Sequence, residues 1–123
     1  MLDYLIITNN PLVCDKYGEK VLFIDAGVEN VLIAVRDKVH SGNRLLNHPL
    51  SGGVLPGVCP YKSLIISSDS GDGPPETDFE SLGLIENALR VMKKTPDGFA
   101  GYDNKVLEDF QVLDLDILDS ALR

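Results

Sequence analysis

The sequence has no tryptophan, only two cysteines and two histidines, and far fewer basic than acidic residues. Its 11 lysines and arginines stand against 19 aspartates and glutamates, which gives a formal net charge of −8. Because phosphate neutralisation supplies most of the affinity of a nucleic-acid binder, this charge argues against DNA or RNA as a partner. No apolar run approaches the roughly 20 residues that span a bilayer, so we also expect no membrane partner.

The scarce cysteines and histidines limit the chemistry further. Cys14 and Cys59 form no C-x-x-C pair, which is typical of two reduced, half-buried thiols in a cytoplasmic protein. The acidic start MLDYLIITNN is unlike a signal peptide and favours the same location. Cys14, near a predicted helix start, is the better candidate for a reactive thiol. His40 and His48 have no carboxylate at ligand spacing, so the sequence predicts no metal site and no cofactor.

What is present is an alternation of strand and helix patterns in a chain of 123 residues, which we interpret as a single α/β domain over residues 1–123. Apolar runs predict buried strands at Tyr4–Thr8, Lys20–Asp25 and Tyr61–Ser68. Helices are predicted from Pro11 to Tyr17, from Val28 to Val39, and from the capping box Thr77–Glu80 to about Lys94. A fourth helix is predicted from Asp103 to about Phe110. After a break at Val112–Leu115, we expect a last helical turn capped by Asp116. This alternation predicts a small three-layer sandwich with a mostly parallel sheet of about three strands in the order 2-1-3.

In such a sheet, ligands bind beyond the carboxyl ends of the strands. We therefore expect Thr8–Asn10, Asp25–Gly27 and Ser67–Asp69 to share one edge. The turn Asn9-Asn10 before Pro11 would suit a phosphate or carboxylate at the helix start. The other interpretation is that Asn10 only caps the helix.

The stretch SGNRLLNHPLSGGVLPGVCP, from Ser41 to Pro60, has neither helical nor strand periodicity, and it is too apolar for a disordered loop. We expect Leu45, Leu50 and Pro56 to pin this loop to the core. Its polar residues then become candidates for ligand contact, namely Arg44, His48, Ser51 and Gly52. No nucleophile elbow surrounds Ser51, so a local turn is as compatible with this pattern as catalysis, and we assign no catalytic residue.

The C-terminal segment carries Leu107, Phe110, Leu113, Leu115, Leu118 and Leu122 among acidic residues. This is too much apolar surface for a free tail. The segment either packs on the sheet, which we favour, or forms the surface of a homodimer.

The runs YLIITNNPLV and RLLNHPLSGGVLPGVCPYKS, together with VRDKVH and LIENA, resemble the GrdX family over nearly the whole chain. These small proteins are encoded beside the glycine, sarcosine or betaine reductase genes of amino-acid-fermenting anaerobes, and no activity is known for them. The resemblance implies an accessory or binding protein of such a reductase, with reductase subunits as partners. It carries no catalytic residue over to this chain.

Two functional hypotheses follow. The first is an accessory protein whose contact site combines the 41–60 loop with the Asn9-Asn10 turn. The second is a small enzyme or sensor of an anionic ligand, a phosphorylated or carboxylated metabolite, held in a pocket where Asn9, Arg44 and His48 converge.

Overall fold

The computed structural model describes residues 3–50, 58–68, 76–93 and 101–123. Within these ranges, three strands form one sheet: β1 (Tyr4–Thr8), β2 (Val21–Phe23) and β3 (Ser63–Ser67). Strand β1 lies in the centre of the order β2-β1-β3, which confirms the predicted order and the α/β class.

The two pairings of β1 differ in direction. Strand β2 runs parallel to β1, with Ile7 opposite Leu22, whereas β3 runs antiparallel, with Ile7 opposite Leu64. The sheet is therefore mixed, and only one of its two pairings has the predicted parallel direction. We call the edge where β1 and β2 end and β3 begins the upper edge, and the opposite edge the lower edge.

The direction of β3 follows from the path of the preceding loop. Residues 43–47 run beside β3 as an extra antiparallel segment, with a bridge between Leu45 and Ile66. The amide of Ser67 donates to the carbonyl of Arg44, and that of Leu46 to the carbonyl of Ile65. Because this segment already climbs from the lower to the upper edge, the next strand has to descend.

In the described part of the chain, four α-helices cover the sheet: α1 (Pro11–Tyr17), α2 (Val28–His40), α3 (Phe79–Lys93) and α4 (Asn104–Leu122). Alternating residues of the strands point to opposite faces. Ile7, Leu64 and Ile66 pack with α2 and α3 on one face. Ile6 and Ile65 pack with α1 and α4 on the other face, through Val13 and Leu118. The predicted three-layer sandwich is therefore observed.

Local signals explain where most helices begin and end. The amide oxygen of Asn10 accepts from Leu12 N at 3.0 Å to cap α1, and Gly18, with φ of 48°, ends that helix. At α3 the cap is Asp78, whose carboxylate accepts from Ser81 N, and not the predicted pair Thr77 and Glu80.

Two other predictions about the elements were wrong. Helix α4 is continuous from its cap Asp103, without a break at 112–115 or a cap at Asp116, and Leu115, Leu118 and Leu122 pack on the sheet at helical spacing. Strand β2 is a short edge strand with Leu22 and Phe23 exposed, and not a buried one. Among the described residues, no helix is both long and apolar enough to cross a membrane.

Candidate functional site

The upper edge of the sheet gathers several of the polar side chains predicted to form a site. Thr8 is the last residue of β1, Asn9 and Asn10 follow it, and all three are buried. The residues Ser67 and Ser68 lie at the lower edge instead, because β3 runs in the opposite direction to the one predicted. Asp69 lies outside the described residues.

Asn9 joins three separate segments of the upper edge. Its Nδ2 group donates to the carbonyl oxygens of Ala26 and Pro60, each at 3.0 Å, and its Oδ1 atom accepts from Lys62 N at 2.9 Å. Both amide hydrogens and the amide oxygen are thus engaged within the protein. The amide of Asn9 acts as a clamp between the β2–α2 turn and the chain entering β3.

Asn10 begins a buried hydrogen-bond network. Besides capping α1, its Nδ2 group donates to Gln111 O at 2.9 Å and to Asp114 Oδ2 at 3.0 Å. The ligand-binding role that the sequence predicts for Asn9 and Asn10 stays a prediction, and the structure gives both amides a structural one.

In the same network, successive hydrogen bonds are donated in one direction, from the backbone towards the carboxylate. Asn10 N donates to Thr8 Oγ1 at 3.0 Å, Thr8 Oγ1 lies 2.7 Å from Ser63 Oγ, and Ser63 Oγ donates to Asp114 Oδ2 at 2.7 Å. Since Ser63 has a single hydroxyl hydrogen, the Thr8 hydroxyl donates to Ser63. This series of hydrogen bonds therefore ends at Asp114 Oδ2.

A small cavity beside this network, which we call the inner cleft, is lined by His48, Cys59, Tyr61, Lys62, Ser63 and Asp114. Its volume of about 20 Å³ has room for about one water molecule. An imidazole, a thiol, an amine and a carboxylate thus surround a space too small for a metabolite. Sequence reasoning identified only His48 among these residues.

Burial shifts the pKa values of three groups in the inner cleft. Burial raises the pKa of Asp114, against the hydrogen bonds from Ser63 and Asn10 and the charge of Lys62, which lower it. Burial also lowers the pKa of the Lys62 amine, an effect that the charge of Asp114 opposes. The pKa of Cys59 is raised chiefly by burial, so its thiol stays protonated at neutral pH.

A second, open concavity also borders Tyr61 and lies at the carboxyl ends of β1 and β2. We call it the outer depression; it is lined by Asn9, Pro11, Phe23, Asp25, Ala26–Gly27 and Tyr61. Its volume of about 380 Å³ is in the range of ligand pockets, roughly 300–1,000 Å³. Asp25 is the one charged side chain in this lining.

The structure does not bring Arg44 to the upper edge. Arg44 lies at the lower edge beside Ser67, and its Nε atom is 4.0 Å from Asp78 Oδ2. His48 is at the upper edge, where its Nδ1 atom accepts from Leu50 N at 3.1 Å. The expected convergence of Asn9, His48 and Arg44 is therefore absent.

The loop that contains these two residues is packed in its described part, as predicted. Leu45 and Leu50 pack against the core formed by α2 and α3. Asn47 adds a strand-like contact, because its Oδ1 atom accepts from Ile65 N at 2.9 Å. Ser51, Gly52 and Pro56 lie outside the described residues. No group of three His, Cys, Asp or Glu side chains within the described ranges could hold a metal ion.

Of three comparisons with known proteins, one gave a match. A search of curated proteins and a search of solved structures gave no match. The family model described as GrdX-like protein matches residues 5–123, nearly the whole chain. The chain therefore belongs to the GrdX-like protein family.

Proposed function

We propose that this chain is a cytoplasmic accessory or binding protein of a glycine, sarcosine or betaine reductase system, and that the upper edge is its contact face. The family assignment supports the association with such a system. The size of the inner cleft, about 20 Å³, is the observation that favours binding over catalysis. The groups with catalytic potential surround a space with room for about one water molecule.

The outside of the same edge has the character of a contact surface. Phe23 is 41% exposed beside the outer depression, and Val58 is 37% exposed next to Cys59 of the inner cleft. Exposed apolar side chains around a polar concavity are typical of surfaces that bind a partner. Residues of the 41–60 loop and of the Asn9-Asn10 turn border this surface.

Co-purification with separately purified reductase subunits tests the proposal. We expect at least one subunit to be retained by the immobilised protein, and Phe23→Ser to weaken that retention. The matched control is Phe79→Ser, because Phe79 is 81% exposed at the start of α3, near the lower edge. Thermal midpoints of both variants verify that they fold. If the wild-type protein retains no subunit, the proposal is wrong.

Two further variants test which edge of the sheet contacts the reductase subunit. His48→Ala alters the upper edge, and Arg44→Ala alters the lower edge, where the Arg44 side chain is 69% exposed. Loss of retention in His48→Ala alone supports the upper edge as the contact face. Loss in Arg44→Ala alone would move the contact face to the lower edge.

The second candidate is the small enzyme or sensor of a phosphorylated or carboxylated metabolite. Lys62 and His48 in the inner cleft are the groups that would attract an anion, and this is the observation in its favour. The small volume of that cleft and the carboxylate of Asp25 in the outer depression oppose it. Thermal shifts with phosphate, acetyl phosphate, nucleotides, glycine and betaine test it. A stabilisation that disappears in His48→Ala would favour this candidate over the accessory role.

A further inference from the structure

Among the described residues that line it, the outer depression carries one full charge, and that charge is negative. The carboxylate of Asp25 forms no hydrogen bond or ion pair with the rest of the chain that the structure describes. Two neighbouring polar groups are already engaged: the amide of Asn9 holds three segments, and the carbonyl of Ala26 accepts from Asn9 Nδ2. Asp25 is therefore the charged side chain of this lining that remains available to a ligand.

An aromatic ring lies next to that carboxylate. The sheet ladder continues one residue beyond β2, since Ile24 N donates to Thr8 O at 2.8 Å, so the chain is extended there. Side chains two residues apart in an extended chain point to the same side, and Phe23 and Asp25 indeed both line the depression. An exposed aromatic ring beside a carboxylate is a combination that attracts organic cations.

Helix α2 begins at this depression, and the partial positive charge at its start opposes the negative charge of Asp25. Gly27, its N-cap, provides no side-chain cap, so the first backbone N–H groups of α2 contribute a partial positive charge. The end of a helix is equivalent to roughly half an elementary charge. The full negative charge of the Asp25 carboxylate exceeds it. The balance at the mouth favours a cation.

We propose that the outer depression binds an organic ammonium group, held between the ring of Phe23 and the carboxylate of Asp25. This inference rests on the proposed function, because it names the chemistry that its contact face recognises. The ammonium group is either that of a small amine or that of a lysine side chain on a partner. Both present the same alkylammonium chemistry to the depression.

Amide NMR titrations of the full chain test the inference with chosen probes. Tetramethylammonium and n-butylammonium chloride are the cationic probes, n-butanol is the uncharged control, and sodium acetate is the anionic one. We expect saturable shifts of amides around Asn9 and Phe23–Gly27 with the cations alone. Absence of such shifts, or equal shifts with n-butanol, would overturn the proposal.

Three variants assign the binding to the named groups. Asp25→Asn is expected to raise the dissociation constant of n-butylammonium at least about fivefold, since it removes the charge. Phe23→Leu, which keeps an apolar side chain, is expected to raise it about two- to fivefold. Asp37→Asn, which removes an exposed carboxylate near the other end of α2, is the matched control and should leave it unchanged. Unaltered binding in Asp25→Asn would overturn the proposal.

A further probe distinguishes the source of the ammonium group. Binding of Nα-acetyl-lysine methylamide together with n-butylammonium supports a lysine side chain, and binding of n-butylammonium alone supports a small amine. A failure of this inference can be distinguished from a failure of the proposed function, because these titrations contain no reductase. If subunits are retained while no cation binds, this inference alone is wrong.

Discussion

Ser63 Oγ donates a 2.7 Å hydrogen bond to Asp114 Oδ2, and this contact joins the first residue of β3 to the middle of α4 across 51 positions of sequence. Both residues are only 6% exposed. The same carboxylate oxygen accepts from Asn10 Nδ2, so one buried acid links the start of α1, the start of β3 and helix α4. The shape of the upper edge depends on this acid.

Replacing Asp114 by alanine should therefore destabilise the protein. The change leaves the Ser63 hydroxyl and one amide hydrogen of Asn10 without their buried acceptor, and we expect a loss of about 2–4 kcal/mol in the free energy of unfolding. Urea denaturation measures it. Asp116→Ala, at an exposed position of the same helix, is the control and should stay within about 0.5 kcal/mol of wild type. Equal stabilities of the two variants would contradict the structural role of Asp114.

The protonation of Asp114 should make stability depend on pH. Because its pKa is raised in the folded protein, the folded state binds this proton more tightly than the unfolded state does. Its contribution to stability is then complete below the ordinary aspartate pKa of about 4, and it decreases as the pH rises towards the folded pKa. Asp78 and Asp119, whose pKa values are lowered, contribute in the opposite direction in every variant.

Comparison with Asp114→Asn isolates this effect. We expect the stability of wild type relative to Asp114→Asn to fall as the pH rises from about 4, with the other carboxylates cancelling in the difference. Asp114→Asn also removes the charge that raises the pKa of Lys62, so the Lys62 amine should lose its proton more readily in that variant. A difference that is constant, or that grows with pH, would show that Asp114 does not have a raised pKa.

Much of the fold could be predicted because it depends on local signals. The strand Tyr4–Thr8, the Asn10-Pro11 helix start and the apolar spacing of α2 are all readable within a few residues. The direction of β3 could not be predicted in this way. It depends on the pairing of Leu45 with Ile66, a tertiary contact that no periodicity in the 41–60 loop indicates.

The candidate site was predictable only in part for the same reason. Asn9, Asn10 and His48 lie at the upper edge, but Cys59, Lys62, Ser63 and Asp114 come from segments far apart in the sequence. One signal for Asp114 was available: it occupies the apolar stripe that continues through Leu118 to Leu122. An acid at such a position indicates a buried carboxylate with a partner.

Leu118 tests whether α4 is held by packing on the sheet. It is 1% exposed in the cluster formed with Ile6, Val13 and Ile65. Leu118→Ala should lower the free energy of unfolding by about 2–5 kcal/mol, from lost burial and the cavity that remains. Val112→Ala, on the exposed side of α4, should change it by less than about 0.5 kcal/mol. A small effect in Leu118→Ala would leave the dimer surface as the better interpretation of this helix.

The two thiols should be unreactive in the folded protein. Burial, and then the charge of Asp15, raises the pKa of Cys14, and burial raises that of Cys59. Since the thiolate is the reactive form, both should be alkylated by iodoacetamide several times more slowly at neutral pH than in the urea-unfolded chain. Mass spectrometry of Cys14→Ser and Cys59→Ser measures each rate separately. A folded-state rate above the unfolded one would identify an activated cysteine.

Replacing Asn9 distinguishes a structural role of its side chain from a role in ligand binding. Its three hydrogen bonds join the β2–α2 turn, Pro60 and the entry to β3, so Asn9→Ala leaves two carbonyls and one N–H group without their partner. We expect a loss of about 2–4 kcal/mol in the free energy of unfolding. Asn87→Ala, at an exposed position of α3, is the matched control and should stay within about 0.5 kcal/mol of wild type.

The outcome for Asn9 also decides how its predicted site role should be judged. A large loss of stability in the absence of any ligand means that the side chain is needed to hold the upper edge together. Unchanged stability would mean that the three contacts are dispensable for folding, and the amide would then be free to contact a ligand. Urea denaturation of Asn9→Ala and Asn87→Ala in ligand-free buffer distinguishes these cases, because no binding energy contributes to either measurement.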